Sequence, residues 1–162
     1  MPLQKPGRRS KHPQTKQNAQ TSMAGRTLEM ANSPPPGTVD LSCADARSRV
    51  RLVLEPLLRT LPASRATRLQ QDACLIVSEL VTNALLHAGG VRDFQVCLEG
   101  QVLTVRVGDH SSTPPTPRSA VASVPGGHGW MIIERLSDSV TAEPDARGKT
   151  VTATLDASCM AD

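Results

Sequence analysis

Residues 77–87 read Val77-Ser78-Glu79-Leu80-Val81-Thr82-Asn83-Ala84-Leu85-Leu86-His87. Their apolar side chains fall on more than one side of a helix, which predicts a helix buried against a sheet. Glu79, Asn83 and His87 nevertheless stand at i, i+4 and i+8, so one stripe carries a carboxylate, an amide and an imidazole. Burying such groups without partners is costly. A cleft that holds a polar ligand would account for them.

The helical pattern around this stretch extends over residues 66–88 and ends at Gly89-Gly90, a typical C-terminal cap. An earlier amphipathic helix begins after a capping box at Ser42 and contains Pro56. Because proline removes a backbone donor and clashes with the preceding turn, we expect a kink near Leu52 or a helix divided there.

Alternating apolar residues after the long helix predict a β-hairpin. A two-residue turn at Glu99-Gly100 would pair Val96 with Leu103 on one face of the hairpin. The same register would place Asp93 opposite Arg106 as an exposed cross-strand pair.

The second half of the chain predicts a loop, a short helix and two further strands. Residues 110–128 are rich in Pro, Ser, Thr and Gly, and loops of that length are usually functional lids. A helix begins at Gly129, a strand at Ser139, and a turn over 144–148 leads to a last strand with alternating apolar residues at 151–155. The expected fold is an α/β (α+β) two-layer sandwich, a mixed and mainly antiparallel sheet covered on one face by helices.

Composition and charge divide the chain of 162 residues into a basic tail and one domain. Residues 1–25 carry Lys5, Arg8, Arg9, Lys11 and Lys16 and no acid, so the remainder is slightly acidic. We expect 1–25 to be a disordered tail, with contact to an anionic surface as the alternative, 26–157 to form the domain and 158–162 a short C-terminal tail. A short edge strand is expected at 26–30.

The same composition excludes several classes of function. Phe94 and Trp130 are the sole aromatic residues, which leaves no stacking platform for single-stranded nucleic acid. No apolar stretch is long enough to cross a bilayer or serve as an export signal. The four cysteines fit neither a zinc knuckle nor a redox pair, so we expect a cytoplasmic protein with free thiols.

Two glycine-containing segments follow the long helix. Gly108-Asp109 ends a predicted strand, where a carboxylate can point from the sheet edge into a pocket. Gly126-Gly127-His128-Gly129-Trp130 opens a helix, where free backbone amides and the helix dipole can receive phosphate oxygens. Glu143–Thr150 ends in Gly-Lys-Thr but is no P-loop, because it lacks the first glycine and is followed by a strand pattern.

Together these segments resemble the nucleotide-binding domain of the GHKL ATPase family, which includes histidine kinases and type II topoisomerases. The similarity is greatest to the small branch of anti-sigma-factor serine/threonine kinases and related ATP-binding regulators of actinobacteria. It runs over about residues 47–155. Residues 79–84 look like the N-box, Gly108-Asp109 like the first glycine box and Gly127-His128-Gly129 like the second. The long loop over residues 110–128, which runs from the first box into the second, then corresponds to the ATP lid.

The resemblance implies a role for each matching residue. Asn83 would coordinate the Mg²⁺ that bridges the phosphates, and Asp109 would accept from the adenine amino group and so select ATP over GTP. Gly127 and Gly129 would let the backbone approach the phosphates. Thr150 matches the position that supports the adenine contact.

Glu79 would be the general base that takes the proton from an attacking hydroxyl. His87 either lines the phosphate side or is a satisfied histidine at a helix end. Trp130, in place of the usual Leu, would pack over the nucleotide or the lid hinge, and Ser111 stands where the first glycine box usually has Gly.

The function that the resemblance implies is an ATP-binding regulator with ATP and Mg²⁺ as cofactors. In the kinase branch such a protein phosphorylates a Ser or Thr of an anti-sigma-factor antagonist and acts in transcription regulation by partner switching. Its partners would be a sigma factor, that antagonist, or both, with a homodimer left open. Direct contact with nucleic acid or a membrane is not expected. The alternative is a module that binds ATP and a partner without significant kinase activity.

Overall fold

The computed structural model describes residues 36–115 and 128–160. The expected tail at 1–25 and edge strand at 26–30 lie outside these ranges, as do Gly127 and most of the expected lid. Within the described ranges, no helix is both long and apolar enough to span a membrane. The described elements, in chain order, are α1 (Cys43–Leu58), α2 (Ala63–His87), β1 (Val91–Glu99), β2 (Val102–Asp109), α3 (Gly129–Leu136), β3 (Ser139–Asp145), β4 (Gly148–Asp156) and a 3₁₀ turn (Ala157–Cys159).

Helix α1 begins at the predicted capping box. The backbone N–H of Asp45 donates to Ser42 Oγ at 3.1 Å, and the Asp45 carboxylate accepts from the Ser42 N–H at 3.3 Å. The helix continues through Pro56 to Leu58, so the expectation of a divided helix is wrong. Proline lies in the last turn, where the missing N–H leaves one carbonyl without its donor and few later bonds to disrupt.

Helix α2 begins at Ala63, three residues before the predicted start, directly after Pro62. It ends where Gly89 and Gly90 adopt positive φ values of 76° and 108°. The Gly90 N–H donates back to the Ala84 carbonyl at 2.9 Å, which satisfies a helix-end acceptor. This confirms the glycine pair as the end of the helix.

The four strands of the described ranges form one antiparallel sheet in the order β1-β2-β4-β3. Helix α2 packs against α1, α3 and the sheet, so it lies at the centre of the helical layer. The core between the layers is aliphatic, and its largest fully buried side chains include Leu54, Leu69, Ile76, Leu103 and Ile133. The structure confirms the two-layer α+β fold.

The predicted turn of the β1–β2 hairpin is wrong by one residue. Glu99 pairs with Val102, so the turn consists of Gly100 and Gln101. Gly100 adopts φ +61°, and the first position of a two-residue turn of this kind favours glycine. The pairing of Val96 moves by two residues, from Leu103 to Val105, which leaves every side chain on its predicted face.

The predicted Asp93–Arg106 pair is also wrong. Arg106 lies opposite Gln95, and Asp93 lies opposite Gly108 after a bulge in β1. A side-chain carbon added at Gly108 would overlap the Asp93 carboxylate, so glycine leaves room for that side chain. The carboxylate accepts instead from Arg92 Nε at 2.9 Å.

Candidate functional site

A cavity of about 400 Å³ lies between α2, the sheet and the start of α3. It mixes apolar walls with a few polar groups, the usual make-up of a ligand site. Its lining side chains come from α2 (Leu80, Asn83, His87), from β2 and β4 (Val107, Asp109, Lys149, Val151), from α3 (Trp130) and from the segment after β2 (Ser111, Thr113, Pro114, Pro115). The cavity therefore brings Asn83 and Asp109 together, although 26 positions separate them in sequence.

Glu79 lies one turn before Asn83 on α2, next to the first residue of α3. A side-chain carbon added at Gly129 would overlap the Glu79 carboxylate and would lie 3.7 Å from Asn83 Oδ1. Gly129 thus lets the N-terminus of α3 approach both polar side chains of α2. Glu79 itself is half-buried beside the cavity and does not line it.

His87 and Trp130 both line the cavity. His87 is the last residue of α2 and is exposed, which favours the cavity-lining alternative over a satisfied histidine. The Trp130 Nε1 donates to Glu134 Oε1 at 2.7 Å, one turn along α3. This bond restrains the orientation of the indole ring that lines the cavity.

Asp109 is the last residue of β2 and is 4% exposed. Its carboxylate forms an ion pair with Lys149, whose Nζ lies 2.9 Å from Oδ2 and 3.1 Å from Oδ1. The backbone N–H of Ser111 donates to Oδ1 at 2.9 Å, and Lys149 Nζ also donates to the Ser111 carbonyl at 3.1 Å. A buried charge is tolerated when it is paired and hydrogen-bonded in this way.

Thr150 is not brought into the cavity. It lies on the opposite face of β4 from Lys149 and Val151, and its hydroxyl accepts from an Arg92 guanidinium nitrogen at 3.2 Å. The residue of β4 that meets Asp109 is therefore Lys149, which sequence reasoning missed. The predicted inward positions at Val151 and later odd-numbered residues already implied it, since side chains alternate along a strand.

Arg92 is a third buried charged residue, on the face of the sheet that carries Thr150. Its guanidinium contacts Asp145 and Asp93, each at 2.9 Å. The hydrogen bond to Asp145, followed by that to Asp93, raises the pKa of Arg92. In return, the hydrogen bond from Arg92 and then the Arg147 N–H lower the pKa of Asp145. Arg92 thus links β1 to β3 and β4 at the end of the sheet next to the cavity.

A metal ion at this site would be held in part by a bound phosphate ligand. In the described part of the chain, no group of three or more His, Cys, Asp or Glu side chains could hold a metal. Mg²⁺ often takes only one or two oxygen ligands from protein and the rest from phosphates and water. The Asn83 amide oxygen fits that pattern. Gly127, in the second glycine box, lies outside the described residues.

Residues 36–155 match the family model of the histidine kinase-like ATPase domain. The match covers most of the chain and every element from α1 to β4. The chain therefore belongs to the histidine kinase-like ATPase domain family, as its resemblance to GHKL proteins predicted. Among curated proteins, no sequence matches it significantly.

Proposed function

We propose that this protein is an ATP-dependent regulator, a serine/threonine protein kinase of the anti-sigma-factor type that acts by partner switching. The family supports ATP binding by a regulatory protein. The observation that carries the proposal is the meeting of Asn83 and Asp109 in one cavity, with the Glu79 carboxylate at its edge. Binding groups and a base therefore lie within one small region.

Asp109 and Asn83 offer two distinct environments in the cavity. Asp109 is a buried acceptor at the end of β2, suited to the amino group of adenine. Asn83 lies near the N-terminus of α3, where backbone amides and the helix dipole favour phosphate and where Mg²⁺ would be held by the amide oxygen. When bound, Mg-ATP would supply the phosphoryl group for transfer.

Glu79 is the proposed general base. Its carboxylate would take the proton of a Ser or Thr hydroxyl on the partner as that oxygen bonds to the terminal phosphorus and the bond to the bridging oxygen breaks. Phosphoryl transfer needs mainly positioning and charge stabilisation, so one well-placed carboxylate is sufficient as the base. The partner would be an antagonist of an anti-sigma factor, and the unphosphorylated antagonist and a sigma factor would compete for the protein.

One observation favours the second candidate, an ATP-binding module without significant kinase activity. Glu79 is half-buried against Gly129 and does not line the cavity. A base held there would serve only if it turned towards an incoming hydroxyl. ATP would otherwise act as a conformational ligand that alters the affinity for a partner.

The two candidates differ in a phosphorylation assay with Mg-ATP labelled on the γ-phosphate and candidate antagonists from the native host. The kinase proposal expects label on the antagonist with unmodified protein and at least about a 100-fold slower transfer with Glu79→Gln, the usual size of a general-base effect. Glu79→Gln should still bind ATP. Glu99→Gln, an exposed carboxylate at the end of β1, is the matched control. ATP binding without transfer that depends on Glu79 would identify a binding module instead.

A further inference from the structure

Lys149 and Asp109 form a buried charge pair inside the cavity. They are directly opposite each other on β4 and β2 and are 7% and 4% exposed. Taking both charges out of water is costly, and good geometry with further hydrogen bonds is needed to offset that cost. The pair meets this condition through its two short contacts and the Ser111 backbone. The hydrogen bonds that each polar atom of the pair makes can therefore be compared with the number that it can make.

Lys149 donates to two acceptors beside the cavity. Nζ donates to Asp109 Oδ1 and to the Ser111 carbonyl, each at 3.1 Å. Nζ also lies 2.9 Å from Asp109 Oδ2, as an ion-pair contact. Lys149 is therefore held against the Asp109 carboxylate.

The two oxygens of Asp109 differ in what they already accept. A carboxylate has about four lone-pair positions, two on each oxygen. Oδ1 accepts from Lys149 and from the Ser111 N–H, which fills both of its positions. Oδ2 is the oxygen that is left to accept from a ligand.

We propose that Lys149 is a specificity-determining residue, because it fills Oδ1 of Asp109 and leaves only Oδ2 to accept from the base of a bound nucleotide. The inference rests on the proposed nucleotide-binding function and concerns the same site. Adenine offers one amino group on its six-membered ring, which Oδ2 can accept. Guanine presents two neighbouring donors, N1–H and the 2-amino group, which pair with a carboxylate only if both oxygens are free. The second donor would then be buried without a partner.

In this arrangement Lys149 influences which base binds, although Lys149 itself does not contact the base. Burying a donor of the ligand without a partner costs the free energy of removing that group from water. The expected discrimination is about 10-fold to 100-fold, the range that one buried unpaired donor commonly gives. Thr150, on the other face of β4, plays no part in it.

The first test uses the unmodified protein and three nucleotides. Dissociation constants for Mg-ATP, Mg-ITP and Mg-GTP are measured by calorimetry. Hypoxanthine has the N1–H of guanine but lacks the 2-amino group, so ITP presents a single donor on this edge. We expect GTP to bind about 10-fold or more weakly than ITP. Equal binding of GTP and ITP would overturn the inference.

The second test removes the hydrogen bond from Lys149 to Asp109. Lys149→Met keeps the length and apolar stem of the side chain but releases the position that Lys149 occupies on Oδ1. Each Asp109 oxygen can then accept from the base, so the ratio of GTP to ITP dissociation constants should fall towards one. Lys149→Arg, which still donates to the carboxylate, and Arg147→Met, an exposed residue of the adjoining turn, should keep the wild-type ratio.

The ratio of GTP to ITP dissociation constants distinguishes a role of Lys149 in specificity from a role in stability. If Lys149 only stabilises the fold, Lys149→Met weakens all three nucleotides alike and the ratio stays, which contradicts the inference. If Lys149→Met does not fold, the comparison of ITP with GTP on the unmodified protein decides. If the unmodified protein binds none of the nucleotides, the proposed function itself fails, whereas binding without discrimination defeats only the role of Lys149.

Discussion

At the scale of single residues, Asn83 should separate ligand binding from folding. It is half-buried on α2 and lines the cavity, so Asn83→Ala removes the proposed metal ligand without opening the core. We expect Mg-ATP affinity to fall at least about 10-fold, with a change in the free energy of unfolding of about 1 kcal/mol or less. Titration of Trp130 fluorescence with Mg-ATP, and urea unfolding, measure the two quantities.

Gln71→Ala is the matched control for Asn83→Ala, because Gln71 is exposed on the same helix and does not line the cavity. It should change neither quantity beyond error. If Asn83→Ala bound Mg-ATP as tightly as the unmodified protein, the assignment of the metal ligand would be wrong.

Replacing Gly129 tests the contact between α2 and the start of α3 at the site. In Gly129→Ala the new carbon overlaps the far end of the Glu79 side chain, which can rotate away at small cost. Alanine also favours helix over glycine by about 1 kcal/mol, so the free energy of unfolding should be unchanged or slightly higher. Phosphoryl transfer should nevertheless fall, because the carboxylate is displaced. A variant that transfers phosphate at the normal rate would show that the position of Glu79 against Gly129 is unimportant.

At the scale of elements, the β3–β4 turn positions Lys149 against Asp109 through Gly148. Gly148 has φ +148°, and an added side-chain carbon would overlap the Asp109 backbone oxygen, which cannot move aside as a side chain can. Gly148→Ala should therefore lower the free energy of unfolding by about 2 kcal/mol or more and disturb the cavity. Urea unfolding at pH 7 measures this loss.

Gly100→Ala is a useful comparison for Gly148→Ala. Gly100 also has a positive φ, +61°, but nothing lies within 4 Å of an added carbon. Only the backbone conformation is penalised there, at about 1 kcal/mol. Equal losses in the two variants would mean that the close approach to Asp109 does not contribute.

The elements themselves could be predicted from sequence because each rests on a local pattern. The buried α2 followed from apolar residues on several sides, and β4 from the alternation that begins at Val151. The hairpin register failed because Gly100 can occupy either position of a two-residue turn, and local sequence does not distinguish them. Lys149 could have been placed by extending the alternation of β4 backwards. Its pairing with Asp109, however, depends on the register of β2 with β4, which no local pattern states.

At the scale of the whole molecule, the site and the stability of the domain share the same elements. Helix α2 packs on α1, α3 and the sheet and also carries Glu79, Asn83 and His87. Its apolar positions hold the layers together, while its polar stripe reaches the edge where α3 begins. A substitution in the core of α2 is therefore expected to affect ligand binding through folding, whereas the polar stripe can be changed separately.

The whole domain should lose stability in acid in a way that depends partly on Arg92 and Asp145. The hydrogen bond from Arg92, with the Arg147 N–H, lowers the pKa of Asp145 below its usual value of 3.8. A carboxylate with a lowered pKa in the folded state stabilises the fold above its unfolded pKa, and this contribution is lost as the pH falls through the folded pKa. Asp145→Asn should therefore be less stable than the unmodified protein at pH 7.

The two proteins should converge in stability as the pH falls below about 4, because protonation of Asp145 then removes its charge from the unmodified protein. Urea unfolding across this range measures the difference. Asp145→Asn should keep part of the acid sensitivity, because two other carboxylates also have lowered pKa values. Hydrogen bonds from Ser42 lower the pKa of Asp45, and hydrogen bonds from Ser158 lower the pKa of Asp156. Glu143→Gln, on the same strand as Asp145, is the matched control. A difference between Asp145→Asn and the unmodified protein that stayed constant from pH 7 to pH 2 would show that Asp145 acts through packing or neutral hydrogen bonds rather than through its charge.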